Sequence, residues 1–246
     1  MDLWKAEGID VSTVRQIADA PTAVYFVTHG ADGHAFSYFR KGSAASKMTP
    51  EELPYAALKS AKMLHVSGIS QAISDSAADT VFAAIDTVRD AGGQVSYDTN
   101  LRLKLWPLDR ARAITHAAMA HCQIALPGMD DAEHLTGLKD PDKIADFYLS
   151  LGAETVALTL GPDGTLVATQ SERQRIKGRQ VKVVDATAAG DTFDGAFLAR
   201  IVAGDTPFDA ARYANAAAAL STRGYGAVAP MPHADTVNAF LTEGVQ

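Results

Sequence analysis

Cysteine is almost missing from this sequence: Cys122 is the only one in 246 residues. An intrachain disulfide is excluded, and a reducing cytoplasm is the expected setting. Cys122 sits in the apolar run Cys122-Gln123-Ile124-Ala125-Leu126, where a thiol serves as a small core hydrophobe rather than as a nucleophile. Long apolar runs are missing too. None approaches about 18 residues, so no membrane partner is expected. The opening Met1-Asp2-Leu3-Trp4-Lys5-Ala6-Glu7 lacks the basic and apolar segments of a secretory signal. Positive charge is short as well, with 22 Lys and Arg against 29 Asp and Glu and a formal net charge of −7. That balance argues against a nucleic-acid partner or an anionic membrane surface, since both require a basic face. An anionic small molecule stays open, because a local pair of arginines can oppose the global sign. The seven histidines show no His-Glu-x-x-His spacing, so no zinc site is inferred. No Gly-x-Ser-x-Gly nucleophile elbow occurs either.

What is present suffices for a sizeable core, since 47% of residues are hydrophobic. Short β-rich runs alternate with helical patterns along the whole chain. Residues 23–27 and 34–40 flank Gly30-Ala31-Asp32-Gly33, which is hairpin chemistry. Met63-Leu64-His65-Val66-Ser67 reads as a buried strand, followed by a helix from about Ala77 to Ala91 that stops at Gly92-Gly93. Strands are then expected at Gln94–Asp98 and Ile124–Leu126, with a helix from Asp109 to Ala120 between them. Helices follow around Asp130–Leu135 and Asp142–Leu151. A second hairpin joins residues 155–160 to 165–168 through Gly161-Pro162-Asp163-Gly164. The Ala-rich segment Ala214 to Leu220 reads as a closely packed helix, because Ala is the best helix former. Strands alternating with helices imply βαβ units, hence an α/β fold whose mainly parallel sheet is covered on both faces. No linker or repeat divides the chain, so residues 1–246 are expected to form a single domain with a small hairpin at about 22–42.

Near the C-terminal third, Val181-Lys182-Val183-Val184 reads as a strand running into Asp185-Ala186-Thr187-Ala188-Ala189-Gly190-Asp191. A helix follows, with Phe193, Phe197 and Ile201 on one face, ending near Ala203-Gly204. Small residues at 188–190 let the backbone turn sharply, and the first helical turn offers unpaired N–H groups and the positive dipole end to an anion. Asp191, a carboxylate beside such a site, has two readings: it caps the helix, or it takes a proton during phosphoryl transfer.

The segment from Asp185 to Phe197 resembles the C-terminal signature of the ribokinase-like (PfkB) carbohydrate kinases, Asp-Thr-x-Gly-Ala-Gly-Asp-x-Phe followed by a small-residue helix. The resemblance implies a three-layer α/β sandwich with a hairpin lid, and a kinase that uses ATP and Mg²⁺. It makes Asp191 the general base and the backbone of Ala188, Ala189 and Gly190 the anion hole. Ala186 stands where the family has Thr, and Ala188 where it has its first Gly. A left-handed backbone at 188 would cost about 1 kcal/mol or somewhat more with Ala there. Thr159-Leu160-Gly161-Pro162-Asp163-Gly164 resembles the family's Thr-x-Gly-x-x-Gly hairpin, which makes Thr159, Gly161 and Gly164 nucleotide contacts. Asn215 and the stretch Gly224 to Val228 correspond to the region enclosing adenine.

Asp98-Thr99-Asn100-Leu101-Arg102 lies at the C-terminal end of an expected parallel strand, where open α/β sheets bind ligands. With Leu105-Trp106, and with Tyr38-Phe39-Arg40-Lys41-Gly42-Ser43, it resembles the 2-keto-3-deoxygluconate kinases within the family. That likeness puts Asn100 with the ATP contacts. It makes Tyr25, Tyr38, Arg40 and Arg102 substrate contacts, with the two guanidinium forks holding a sugar-acid carboxylate. Leu126-Pro127-Gly128-Met129-Asp130-Asp131 occupies the place of the family's Asn-x-x-Glu element, so Asp131 is the candidate for ordering Mg²⁺ through water. The family begins with a strand and a Gly-Gly-x-x-x-Asn segment; roughly two βα units, about 60 residues, are expected to be missing before Met1. The implied activity is phosphorylation of the terminal hydroxyl of a sugar acid. Fructokinase- or ribokinase-type chemistry is the alternative within the family, and a non-catalytic nucleotide or sugar binder the alternative outside it. The aromatic hairpin, with Tyr25, Phe26, Tyr38 and Phe39, suits a lid and also a homo-oligomer formed through the lid.

Overall fold

The computed structural model describes residues 1–30 and 33–243. Its helices are α1 (Asp2–Ala6), α2 (Tyr55–Ser60), α3 (Gly68–Ala72), α4 (Asp75–Asp90), α5 (Leu108–Met119), α6 (Met129–Thr136), α7 (Pro141–Leu151), α8 (Ala189–Val202), α9 (Pro207–Ser221) and α10 (Ala234–Thr242). The strands are β1 (Val24–Gly30), β2 (Gly33–Phe39), β3 (Met63–Ser67), β4 (Gln94–Asp98), β5 (Ile124–Leu126), β6 (Thr155–Thr159), β7 (Gly164–Thr169) and β8 (Arg173–Lys177).

The helix boundaries have local causes. Ser74 Oγ accepts the Ala77 N–H at 3.0 Å and opens α4. Asp140 and Thr206 cap α7 and α9 through their side chains, and each helix then begins with proline, whose missing N–H is no loss there. Val81, Ile85 and Val88 recur at helical spacing and are buried.

Strands β3 to β8 form one sheet in sequence order. The pairs from β3 to β6 are parallel, whereas β7 and β8 return antiparallel. Successive side chains of a strand point to opposite faces, and here both faces are filled. Ala125, Val156, Leu158, Leu166 and Ala168 pack with residues of α4, α5 and α7. Ile124, Leu126, Ala157, Val167 and Ile176 pack against Phe193, Phe197 and Ala211 of α8 and α9. The result is a helix–sheet–helix sandwich, as expected. The C-terminal ends of the parallel strands (Ser67, Asp98, Leu126 and Thr159) open onto one edge, and the start of α8 is brought up to it.

Three local expectations change. Residues 181–184 are not a strand: Lys182, Val183 and Val184 are exposed, and the Val184 N–H donates to Thr222 O at 2.7 Å rather than to a sheet neighbour. The strand that leads toward α8 is instead β8, whose Arg-Gln-Arg-Ile-Lys sequence buries Ile176 alone. Strand β3, read as buried, is half-buried with His65 exposed, because it lies at the end of the sheet's strand order. The short helix α3 was not anticipated.

Strands β1 and β2 form a separate two-stranded antiparallel sheet, with Tyr25 opposite Tyr38 and Val24 opposite Phe39. Ala31 and Asp32, in the turn expected between them, lie outside the described residues. Among residues 1–28 and 37–42 none is buried. Among the described residues no helix is long and apolar enough to cross a membrane.

Candidate active site

The first turn of α8 is built by one buried carboxylate. Asp185 Oδ1 accepts from the Thr187 N–H at 2.9 Å and from Thr187 Oγ1 at 2.7 Å, while Oδ2 accepts from the Gly226 N–H at 2.9 Å. Its own N–H and that of Val184 donate to Thr222 O at the end of α9. The loop is thereby fixed from both sides, and Ala188 takes the left-handed conformation at φ 61°, ψ 19°. Ala188 O then accepts both the N–H and Oγ1 of Thr192 at 2.9 Å, so the helix proper starts there.

Of the backbone groups of Ala188, Ala189 and Gly190, expected to face an anion, that of Ala189 is engaged within the loop. The Ala189 N–H turns back to Ala186 O at 3.2 Å. Gly190 and Asp191 have N–H groups of the first turn with no backbone acceptor among the described residues. No side chain caps the helix, so Asp191 is not spent as a cap; it is exposed in that first turn.

Beside it lies a cleft of about 420 Å³, within the size range of small-molecule sites. Thr159, Gly161 and Gly164 form one wall, Ala186, Ala189, Gly190 and Phe193 another, and Asn215, Ala218, Ala219 and Thr222 a third. Six residues named from sequence as nucleotide or anion contacts, Thr159, Gly161, Gly164, Ala189, Gly190 and Asn215, thus meet in one place, while Ala188 and Asp191 are not part of the lining. The amide of Asn215 is already committed: Oδ1 accepts from Thr165 Oγ1 at 2.8 Å and Nδ2 donates to Ile176 O at 3.1 Å. It ties α9 to β7 and β8 and shapes the wall. Gly224 to Val228 do not line the cleft; Gly226 serves Asp185 instead.

Sequence reading missed the wall made by Gly178, Arg179, Gln180 and Val181. Its signal is a backbone approach: a Cβ on Gly178 would lie 2.2 Å from Pro162 O and 3.1 Å from Gly164 N. Gly164 itself sits at φ 100°, where side chains are strained.

A second constellation stands at the ends of β4 and β5, away from the cleft lining. Asp98 Oδ1 accepts the Asn100 N–H at 3.0 Å; Oδ2 accepts from Asn100 Nδ2 at 2.8 Å and Ser67 Oγ at 3.1 Å. These bonds hold Asn100 at φ 32°. Asn100, expected with the nucleotide contacts, does not line the cleft, and its Oδ1 is buried with no donor. Asp131 Oδ2 accepts from the Leu101 N–H at 2.8 Å and Thr99 Oγ1 at 3.3 Å, so the candidate magnesium residue first of all fastens the β4 loop. Arg102 Nη1 donates to Leu101 O at 2.8 Å.

Burial dominates the electrostatics here. It pushes the Asp98 carboxyl up to about 6, against the hydrogen bonds from Asn100 and Ser67. It raises Asp131 as well, opposed by the Leu101 N–H and the Arg102 charge. Asp194, one turn along α8, is driven well above the usual carboxylate range by burial and then by the charges of Asp98 and Asp191. His65 is exposed at the end of the sheet, yet desolvation of its ring, whose Nδ1 lies 2.9 Å from Ser96 Oγ, holds it below the usual imidazole range, with Asp191 acting the other way.

The third constellation is on the two-stranded sheet. Tyr25 and Tyr38 have ring centroids 6.4 Å apart, and the Arg40 guanidinium lies 5.9 Å from the Tyr38 ring. Arg40 Nε is buried without a hydrogen-bond acceptor. Three residues named as substrate contacts are therefore neighbours, while Arg102 belongs to the β4 loop.

The family model described as pfkB family carbohydrate kinase matches residues 1–234. A 2-dehydro-3-deoxygluconokinase of Bacillus subtilis (strain 168) is 35% identical over 244 residues, covering 97% of this chain and 75% of the relative. Fructokinase-2 of Solanum lycopersicum is 31% identical, covering 98% of this chain and 76% of its own length. Among solved structures, a putative Ribokinase II from E. coli in complex with ATP and Mg²⁺ superposes with a TM-score of 0.90 at 25% identity, covering 98% of this chain and 77% of that one.

Proposed function

The chain belongs to the pfkB family of carbohydrate kinases, and from that premise we propose that it moves the γ-phosphoryl group of ATP to the terminal hydroxyl of 2-keto-3-deoxygluconate, giving the 6-phosphate. One observation carries the reading: the exposed carboxylate of Asp191 stands in the first turn of a helix whose start, at Ala189 and Gly190, borders a cleft of about 420 Å³. Asp191 takes the proton of the attacking hydroxyl as its oxygen bonds to the γ-phosphorus and the bond to the leaving oxygen of ADP breaks. The N–H groups of Gly190 and Asp191, with the dipole of α8, meet the negative charge that gathers on the transferring group. Thr159, Gly161, Gly164 and Asn215 border the space taken as the nucleotide site.

The residues present fit a magnesium ion carried by phosphate and water rather than one caged by protein. No group of three or more His, Cys, Asp or Glu side chains able to hold a metal occurs among the described residues, and Mg²⁺ bound to nucleotides keeps several waters. When bound, the ion neutralises phosphate oxygens; Asp131 would meet its water shell. That the E. coli Ribokinase II structure holds ATP and Mg²⁺ supports this assignment.

The acid group of the substrate is assigned to Arg102 and Arg40. Two guanidiniums suit a carboxylate, and the buried Arg40 Nε still lacks an acceptor. Tyr25 and Tyr38 wall the same ligand from the two-stranded sheet, which acts as a lid, and the β4 loop adds Asn100 Oδ1, a buried acceptor without a donor. The same sheet exposes Phe26 and Phe39 at 60% each on its other face, which supports a homo-oligomer formed through the lid. A neutral hexose is the second reading, favoured by the likeness to a fructokinase. Turnover of ATP with 2-keto-3-deoxygluconate, fructose and ribose decides between them; faster turnover of a neutral sugar removes the sugar-acid assignment. Asp191→Asn is expected to lower turnover by at least about 10²-fold at unchanged fold, and retained activity removes Asp191 from the role of base.

A further inference from the structure

Beyond the start of α8, the cleft is walled by Ala218, Ala219 and Thr222 at the end of α9 and by Arg179, Gln180 and Val181 after β8. Asn215 and Thr222 are the buried polar side chains of this lining, and the protein has already paired both. Asn215, 7% exposed, spends its Nδ2 hydrogens on Ile176 O at 3.1 Å and Lys177 O at 3.4 Å, while its Oδ1 accepts from Thr165 Oγ1 at 2.8 Å. Thr222, 8% exposed, donates from Oγ1 to Ala219 O at 2.7 Å, and its carbonyl accepts the N–H groups of Val184 and Asp185. Ala218 O accepts from Ser221 Oγ at 2.8 Å. None of the buried side-chain atoms that lack a partner among the described residues belongs to the lining. The other wall is open to water: Gln180 and Val183 are exposed, and the Arg179 guanidinium lies 5.9 Å from the Phe240 ring.

A site rejects the wrong base when that base strands a buried donor or acceptor. Such sites discriminate by about 10⁴-fold or more, whereas apolar walls manage about 10²-fold. Here the buried polar side chains are satisfied by the protein itself, and the groups of the exposed wall return to water when a base does not match them. We propose that the cleft holds a purine by shape and apolar contact without reading its Watson–Crick edge, so that GTP and ITP serve as phosphoryl donors beside ATP. The chemistry is unchanged: the sugar hydroxyl oxygen bonds to the γ-phosphorus, the bond to the β-phosphate oxygen breaks, GDP or IDP leaves, and Asp191 takes the proton. This breadth rests on the nucleotide assignment of the cleft, not on the identity of the sugar.

The direct test is equilibrium binding without sugar, with ADP, GDP and IDP each displacing a fluorescent ADP analogue from the protein. Dissociation constants within about 10²-fold of one another are expected. Weaker binding of GDP or IDP by more than that overturns the inference and leaves the nucleotide site standing. Binding of none of the three overturns the nucleotide assignment of the cleft and the inference with it. Turnover supplies the second readout: kcat/KM for ATP, GTP and ITP, with the sugar acid as acceptor, should stay within the same range. Gln180→Ala removes the exposed amide of the open wall, and the ratio of ADP to GDP affinity should then move by less than about tenfold. A larger change makes Gln180 a reader of the base and overturns the inference. Should all three diphosphates bind while the sugar acid is not turned over, the substrate assignment fails and the breadth of the cleft stands.

Discussion

Ala188→Gly should stabilise this protein, although removing a methyl group from an ordered turn usually does the reverse. Ala188 holds φ 61°, ψ 19°, a left-handed conformation that costs an L-residue roughly 1–2 kcal/mol and glycine almost nothing. Glycine has more freedom to lose on folding, an opposing term of about 0.4–1 kcal/mol. The hydrogen bonds at this position use Ala188 O, which accepts from Thr192 N and Oγ1 at 2.9 Å, and these survive the change. The net expectation is a gain of about 0.5–1 kcal/mol, read as a higher urea midpoint at constant slope and a rise in Tm of about 1–4 °C. The relaxed turn should also lower KM for ATP modestly, because the first-turn N–H groups of Gly190 and Asp191 follow directly. A loss of stability, or no change outside error, would show that the loop is held in this shape without strain and refute the reasoning.

Two further perturbations address the loops on either side. Asp185→Ala removes the acceptor of three donors, Thr187 N–H, Thr187 Oγ1 and Gly226 N–H; stranded donors cost about 1–3 kcal/mol each when they stay buried, so a loss of about 3 kcal/mol and a marked rise in KM for ATP are expected, measured by urea titration and steady-state kinetics. Asp98, raised to about 6 by burial, should give an acidic limb: below that pH its protonation weakens acceptance from Asn100 and Ser67, activity falls, and Asp98→Asn should remove the limb from the pH profile. The sign for stability runs the other way. A carboxyl with a raised folded pKa contributes fully below its unfolded value and loses that contribution as pH rises to about 6; at about 1.4 kcal/mol per unit this is a decline of roughly 3 kcal/mol, seen in urea midpoints taken across that window.

Much of this fold is readable from caps and spacing because those signals are local. Strands β4 and β5 begin and end where alternation and glycine punctuation place them, and α7 and α9 start at a capping side chain followed by proline. What hydropathy misplaced were the two segments before α8. Apolar residues 181–184 suggested a strand, yet Val183 is 59% exposed. The polar Arg173–Lys177 is the strand, because pairing with β7 requires backbone groups and not apolar side chains. In the site, the turn glycines and the small-residue helix start were legible, since φ and close approach restrict residue type. The wall formed by Gly178 to Val181 was not, because nothing local marks a glycine as needed by a carbonyl sixteen residues away, that of Pro162.

The same distinction between local and long-range causes governs the charge of the site. Read along the chain, Asp98, Asp131, Asp191 and Asp194 are four negative charges, a poor setting for phosphates or for a carboxylate substrate. Folded, they diverge according to what each meets. Asp131 receives donors from Thr99 and Leu101 and feels Arg102; Asp98 receives three donors but is pushed up to about 6 by burial; Asp194 is raised well above the usual carboxylate range by burial; Asp191 alone is exposed. The sequence spacing of Asp191 and Asp194 puts two carboxyls on one side of α8, and burial of the second alone makes their surroundings differ. For an enzyme of net charge −7 to accept an anion, the formal count matters less than how burial and hydrogen bonding weight each of these carboxyls.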